Sequence, residues 1–256
     1  MFKKLQEAIE VFTPAMVPTA LSAFGFTQEE YTKVRDLVIV ARKTPPRIAL
    51  IGETGVGKTT TINALFNQNE PVSHSRACTQ HEKELTVEHG TLRVVDMPGL
   101  GEDIERDREH VALYMSELPT CDVILWVLKA DNRAIASVQR NLGDLIDSKA
   151  LDPRRLVIAL NQVDMLQPGD WHPTYNIPSP EQEKTLAERI DDIQSRLGKV
   201  VKVDELKLVP YSALRNYRLA DLLSAMKDAA DRRVQWVLGD LASYRSFDEG
   251  ISVGED

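Results

Sequence analysis

An α/β fold, with helices layered on both faces of a mostly parallel sheet and a small helical extension at the N-terminus, is what this sequence predicts. Two observations carry that expectation. Apolar runs such as Arg47–Ile51 and Leu156–Leu160 recur along the chain, too short for helices and shaped for strands buried on both faces. Segments of helical periodicity lie between them, and such alternation gives parallel strands joined by right-handed crossovers.

The elements follow in order. Phe2, Leu5, Ile9 and Phe12 share one helical face, and Thr27-Gln28-Glu29-Glu30 reads as a capping box opening a second helix through Tyr31, Val34, Val38 and Ala41. The charges around the Phe2–Phe12 face are mixed rather than basic, so these helices are expected to pack on the main domain rather than on a partner or membrane surface. Thr44-Pro45-Pro46 ends that extension and opens the strand Arg47–Ile51. Ile62, Leu65 and Phe66 mark the next helix, and Lys83–His89 and Thr91–Met97 read as paired strands joined at Gly90. Val111, Tyr114, Met115 and Leu118 give a further helix, and Cys121–Leu128 a buried strand. Helices near 133–148, 181–198 and 215–238 separate the runs Arg155–Leu160 and Leu206–Pro210. The expected division is a helical extension over 1–45, a main domain over 46–245 and an acidic tail over 246–256.

Composition narrows the class. The 256 residues carry a net charge of −8, which argues against a broad duplex-DNA footprint. The strongly apolar run Val123–Leu128 falls far short of the ~20 residues of a membrane helix. The first residues lack a signal-peptide pattern, and Cys78 and Cys121 are too few for a disulfide framework, so the expected location is the cytoplasm.

The chemistry lies in the loops after the strands, where ligands bind in sheets of this kind. Gly52-Glu53-Thr54-Gly55-Val56-Gly57-Lys58-Thr59 fits G-x-x-x-x-G-K-[ST] between an expected strand and an expected helix, with Thr60 following. Its glycines let main-chain amides wrap phosphate oxygens at the positive end of a helix. Lys58 is expected to reach the β- and γ-phosphates and Thr59 to offer its hydroxyl to Mg²⁺. The next expected strand ends in Asp96-Met97-Pro98-Gly99, where the Asp96 carboxylate holds Mg²⁺ through water and the Gly99 amide senses the γ-phosphate. Asn161-Gln162-Val163-Asp164 follows the Leu156–Leu160 strand. A carboxylate at Asp164 accepts from guanine N1–H and N2, a donor pair that adenine lacks, whereas Asn or Asp capping a helix is the plainer reading of these two residues. Amides of the Ser212-Ala213-Leu214 turn are placed to meet guanine O6.

Together these ordered motifs resemble a TRAFAC-class GTPase of the Era/septin-like branch, most like the bacterial YfjP-type GTPase-domain proteins. The resemblance covers roughly residues 45–240 and implies a three-layer P-loop NTPase G domain that takes GTP and GDP with Mg²⁺. It further implies an effector-loop threonine as a second Mg²⁺ contact, for which Thr79 in Arg76-Ala77-Cys78-Thr79 is the candidate. Three positions depart from the family pattern. Gln162 replaces the lysine whose stem covers the base. Leu100 stands where related GTPases place a water-orienting glutamine, and leucine cannot hydrogen-bond the nucleophile. Gly55 stands where potassium-activated relatives carry asparagine.

Slow GTP hydrolysis by a molecular switch is therefore expected, with Lys58, Thr79 and Gly99 nearest the reacting phosphate. Activation is expected from a homodimer across the nucleotide face or from an unidentified effector. A GTP-binding scaffold or polymer subunit with negligible hydrolysis is the alternative, kept open by Leu100. An ATP-dependent P-loop kinase conflicts with Asn161 and Asp164. Arg76 reads as a solvated loop arginine before it reads as a catalytic finger, and His74, Cys78 and His81 lack a fourth ligand for zinc. Trp171 and Tyr175, in the Pro-rich stretch 167–180, form a partner surface or fold back on the domain. Membrane or ribosome contact stays open, without support in these residues.

Overall fold

Strands buried on both faces need two cores, and the computed structural model has them. It describes residues 45–66, 83–87, 92–99, 104–132, 135–202, 206–230 and 234–235. Expectations for the N-terminal helices, Arg76, Thr79, the His74/Cys78/His81 group, Leu100 and the acidic tail lie outside those residues.

The elements are β1 (Arg47–Ile51), α1 (Lys58–Phe66), β2 (Lys83–Val87), β3 (Leu92–Asp96), α2 (Ile104–Glu117), β4 (Val123–Lys129), α3 (Ile135–Asp147), β5 (Leu156–Asn161), α4 (Pro180–Leu197), β6 (Lys207–Pro210) and α5 (Leu219–Ala229). They form a six-stranded sheet in the order β2-β3-β1-β4-β5-β6. β2 runs antiparallel to β3, and the remaining neighbours pair in parallel. The three-layer α/β fold is therefore present.

Side-chain alternation assigns each strand residue to a core. Ile48, Leu50, Val94, Leu125 and Ala159 pack with α1 and α5, whereas Ala49, Ile51, Val95, Trp126 and Ile158 pack under α2, α3 and α4. Leu50 is fully buried, so shortening it to alanine costs about 2–5 kcal/mol. At the N-terminal end of the sheet, Asp122 accepts from the Arg47 amide (3.0 Å) and donates its own amide to Arg47 O (2.8 Å), which sets the start of the β1–β4 ladder. Cys121 lies beside this clamp, and burial pushes its thiol up to about 11.

Two boundaries differ from expectation. The helix expected over 215–238 is observed over Leu219–Ala229, because Ser212 and Tyr217 pair as an antiparallel bridge and Arg218 takes a positive φ of 56°. The strand expected from Cys121 begins at Val123, since Leu118–Thr120 is a 3₁₀ turn that carries Cys121 and Asp122 into the sheet. Among the described residues, no helix is long and apolar enough to cross a membrane.

Candidate functional site

The carboxyl ends of β1, β3, β5 and β6 open into the loops that hold the sequence motifs. After β1 the chain turns sharply, and Gly52 (φ 146°) permits it: a Cβ there would lie 2.4 Å from Val127 O. Gly57 (φ 94°) ends the loop, and a Cβ on it would lie 2.4 Å from Asn161 Nδ2. Side chains at either position would push the loop off the sheet or off β5, so these glycines give the backbone the close approach that a phosphate cradle needs. Lys58 opens α1 and donates from Nζ to Gly52 O (2.9 Å) and Glu53 O (3.4 Å), folding its stem over the loop. Thr54 and Gly55 are exposed, Val56 is buried, and Thr59 and Thr60 are half-buried in the first turn of α1. Glu53 accepts from Asn132 Nδ2 (3.4 Å).

The expected base motif is joined to this loop directly. Asn161 is the last residue of β5, 2% exposed, and donates from Nδ2 to Val56 O (2.9 Å) while its Oδ1 accepts from the Ala213 amide (3.0 Å). Gln162, in the left-handed region at φ 63°, donates from Nε2 to Gly55 O (3.1 Å). Asp164 is buried in the 3₁₀ turn Val163–Met165 rather than capping a long helix. Among the described residues its Oδ1 has no hydrogen-bond partner, and its Oδ2 lies 3.7 Å from Arg215 Nε. A buried carboxylate oxygen with spare accepting capacity fits a ligand with donors on its edge.

The last loop completes the set. Ser212 is fully buried, its amide donates to Tyr217 O (3.1 Å), and its Oγ accepts from the Arg215 amide (3.1 Å). The amides of Ser212 and Ala213, expected at guanine O6, are thus engaged with Tyr217 and Asn161, while Leu214 is 74% exposed. Below the site, Tyr211 and Thr61 share a hydrogen bond (2.7 Å) that links the β6 end to α1, and burial raises the Tyr211 phenol well above its usual range.

Asp96 ends β3 buried, in register with Leu50 two residues before Gly52. Its turn is fixed from α2: Tyr114 donates to Pro98 O (2.6 Å), and His110 Nδ1 lies 2.9 Å from Gly99 O. A carbonyl only accepts, so that ring nitrogen carries the proton. The Asp96 carboxylate and the Thr59 hydroxyl are hard oxygen donors of the kind Mg²⁺ takes. Among the described residues no group of three or more His, Cys, Asp or Glu gathers to hold a metal by itself.

Sequence reading missed Arg215, Asn176, Gln182 and Tyr211. The one available signal was the Arg-Asn-Tyr-Arg run after Ser212-Ala213-Leu214, whose charges and hydrogen-bonding groups continue past the turn.

Comparison with known proteins agrees with this geometry. Residues 47–162 match the family described as 50S ribosome-binding GTPase. Uncharacterized protein YfjP of Escherichia coli K12 is 35% identical over 148 residues, covering 57% of this chain and 50% of that protein. GTPase Era of Fusobacterium nucleatum is 24% identical over 214 residues, covering 79% of this chain and 63% of that protein. The chain spans about half the length of the YfjP and YkfA relatives it matches. Toc33 from Arabidopsis thaliana, solved in complex with GDP and Mg²⁺, superposes with a TM-score of 0.54 at 16% identity, covering 81% of this chain and 95% of that one. A second structure, which reports that dimerization is important for the GTPase activity of the chloroplast translocon components Toc33 and Toc159, gives 0.56 at 17% identity over 81% and 93%. The phosphate loop and the start of the base motif thus form one hydrogen-bonded unit, and it lies within the stretch 47–162 that matches a GTPase family.

Proposed function

We propose that the chain binds GTP and GDP with Mg²⁺ and hydrolyses GTP to GDP and phosphate at a low intrinsic rate, as a molecular switch. The observation that carries this reading is the pair of bonds from Asn161 to Val56 O and from Gln162 to Gly55 O. They support a phosphate cradle and a base motif that form two walls of one pocket. In this reading the amides of residues 53–60 cradle the phosphates, and Lys58 leaves its carbonyl partners for the β- and γ-oxygens. Thr59, Asp96 and Thr79 would hold Mg²⁺, which would supply charge neutralisation on the phosphates. Asp164 reads N1–H and N2 of guanine, and the stem of Gln162 covers the base. With the Ser212 and Ala213 amides engaged inside the protein, the O6 contact passes to the Leu214 amide or is shared with Asn161. In the reaction, water attacks the γ-phosphorus, the bond to the β–γ bridging oxygen breaks, and the Gly99 amide stays with the γ-phosphoryl oxygens.

Leu100 offers the attacking water no hydrogen bond, so turnover is slow until a second copy meets the nucleotide face or another protein binds there. The reported dependence of Toc33 and Toc159 GTPase activity on dimerization supports the first route. Main-domain boundaries of 46–245, flanked by a helical extension and an acidic tail, and a cytoplasmic location belong to the same proposal. The Leu100 side chain also favours a second reading, a GTP-binding scaffold with negligible hydrolysis.

Single-turnover phosphate release decides between them. The switch predicts slow release that rises per molecule as protein concentration is raised a hundredfold. A flat rate refutes self-activation, and no release over hours favours the scaffold.

A further inference from the structure

The stretch 167–180 folds back on the base-reading loop and makes a chain of contacts that ends on Asp164. Trp171 is nearly buried, stands edge-on to Tyr217 with ring centroids 5.0 Å apart, and donates from Nε1 to Asn176 Oδ1 (3.1 Å). Asn176, buried and held at φ 52°, donates from Nδ2 to Arg215 O (2.8 Å). Arg215, its amide fixed by Ser212 Oγ (3.1 Å), places Nε 3.7 Å from Asp164 Oδ2. From the other side Gln182, fully buried in the first turn of α4, donates from Nε2 to Asp164 O (3.2 Å) and Leu166 O (2.8 Å). The loop is anchored at its far end, where the Ser179 hydroxyl donates to Asp170 Oδ1 (2.6 Å).

We infer that residues 167–180 are a specificity clip: through Asn176 they seat Arg215 against Asp164, and Arg215 is the positioning residue that sets the plane of the guanine-reading carboxylate. This rests on the proposed reading of Asp164. A carboxylate turns easily about its last torsion, and reading two donors of guanine at once requires that both oxygens lie in the plane of the base. Gln182 fixes the backbone of Asp164 but leaves that torsion free. The ion pair at Oδ2, 3.7 Å long, biases it and leaves Oδ1, unpartnered among the described residues, to face the ligand. Loss of the clip lets the carboxylate follow N1–H alone, so discrimination between guanine and hypoxanthine, which lacks the 2-amino group, falls first.

The test measures GDP, IDP and ADP affinities of the full chain and of Arg215→Gln, Arg215→Lys, Asn176→Gly and Trp171→Phe, with thermal unfolding alongside. Glycine keeps the positive φ at 176 while removing both hydrogen bonds. The GDP-to-IDP affinity ratio is expected to fall about tenfold in Arg215→Gln and Asn176→Gly, less in Trp171→Phe, and to recover in part in Arg215→Lys. Should Asn176→Gly fail to fold, the half-exposed Arg215 still carries the test. A ratio unchanged in folded Arg215→Gln, whether or not both affinities drop together, overturns the clip alone. A parent chain that binds no guanine nucleotide overturns the proposed function, and the clip with it.

Discussion

The proposed base side of the pocket and its proposed hydrolysis side are held in different ways. On the base side, Asn161, Asp164 and Ser212 are buried, and their neighbours tie β5, β6 and the phosphate loop together through side-chain hydrogen bonds. On the hydrolysis side, Asp96 is buried in the sheet, but among the described residues the Pro98-Gly99 turn after it is tied through carbonyl contacts with two side chains of one helix, His110 and Tyr114. The next residue, Leu100, brings no polar group. Many cross-links between elements favour a fixed recognition surface, whereas attachment through one helix lets a turn move with that helix. The contrast matches the proposed function, in which recognition is built in and turnover waits for a partner.

Breaking the phosphate cradle or the base side gives the largest effects. Lys58→Ala removes the cation that spans the cradle and is expected to weaken GDP and GTP binding by about 10²–10³-fold, as titration calorimetry checks, with the melting temperature little changed. Asp164→Asn exchanges an acceptor for a donor. GDP is expected to weaken by about 10²–10⁴-fold while xanthosine diphosphate gains, and an unchanged preference would make Asp164 a turn-capping residue instead.

The hydrolysis side is sharpened by Tyr114→Phe. Tyr114 is fully buried and its hydroxyl donates to Pro98 O, so its removal leaves a buried carbonyl with one partner fewer. The expected cost is about 1–3 kcal/mol of stability in chemical unfolding. GDP affinity is expected to hold within about twofold while single-turnover hydrolysis slows. Equal losses of affinity and rate would show that the two halves are one unit and remove the contrast.

Much of this was legible in the sequence, for a physical reason. The phosphate loop requires glycine at fixed local spacing, and the structure shows why at Gly52 and Gly57, whose missing Cβ atoms make room for Val127 and Asn161. Buried strands write themselves as continuous apolar runs, as Arg47–Ile51 and Leu156–Leu160 do. What stayed hidden depends on residues distant along the chain. Asn176 meets Arg215 across 39 positions, and Thr61 meets Tyr211 across 150. No local pattern marks such pairs. The overextended final helix has the same origin: helical periodicity continues through residues 215–218, but pairing of Ser212 with Tyr217 claims the backbone first.

The smallest expected effect comes from the opposite end of β5 and serves as the control for both halves. Asp152 precedes the 3₁₀ turn Pro153–Arg155 that leads into β5. Its side chain accepts from the Arg154 amide (3.0 Å) and from the Arg154 guanidinium at Nε (3.1 Å) and Nη2 (2.8 Å). The Arg154 hydrogen bond is the main force holding its carboxyl below the ordinary value of 3.8. A carboxylate whose pKa is lower folded than unfolded stabilises fully above its unfolded value, and that contribution is lost as pH falls through the folded value. Asp152→Ala is therefore expected to cost about 0.5–1 kcal/mol at neutral pH and progressively less on acidification below 3.8. Guanine selectivity and hydrolysis should stay at parent levels. Because β5 ends in Asn161, a shift of nucleotide preference in this variant would mean that strain at one end of the strand reaches the base pocket at the other. The contrast between the two halves would then reflect the setting of β5, not the cross-links around Asp164.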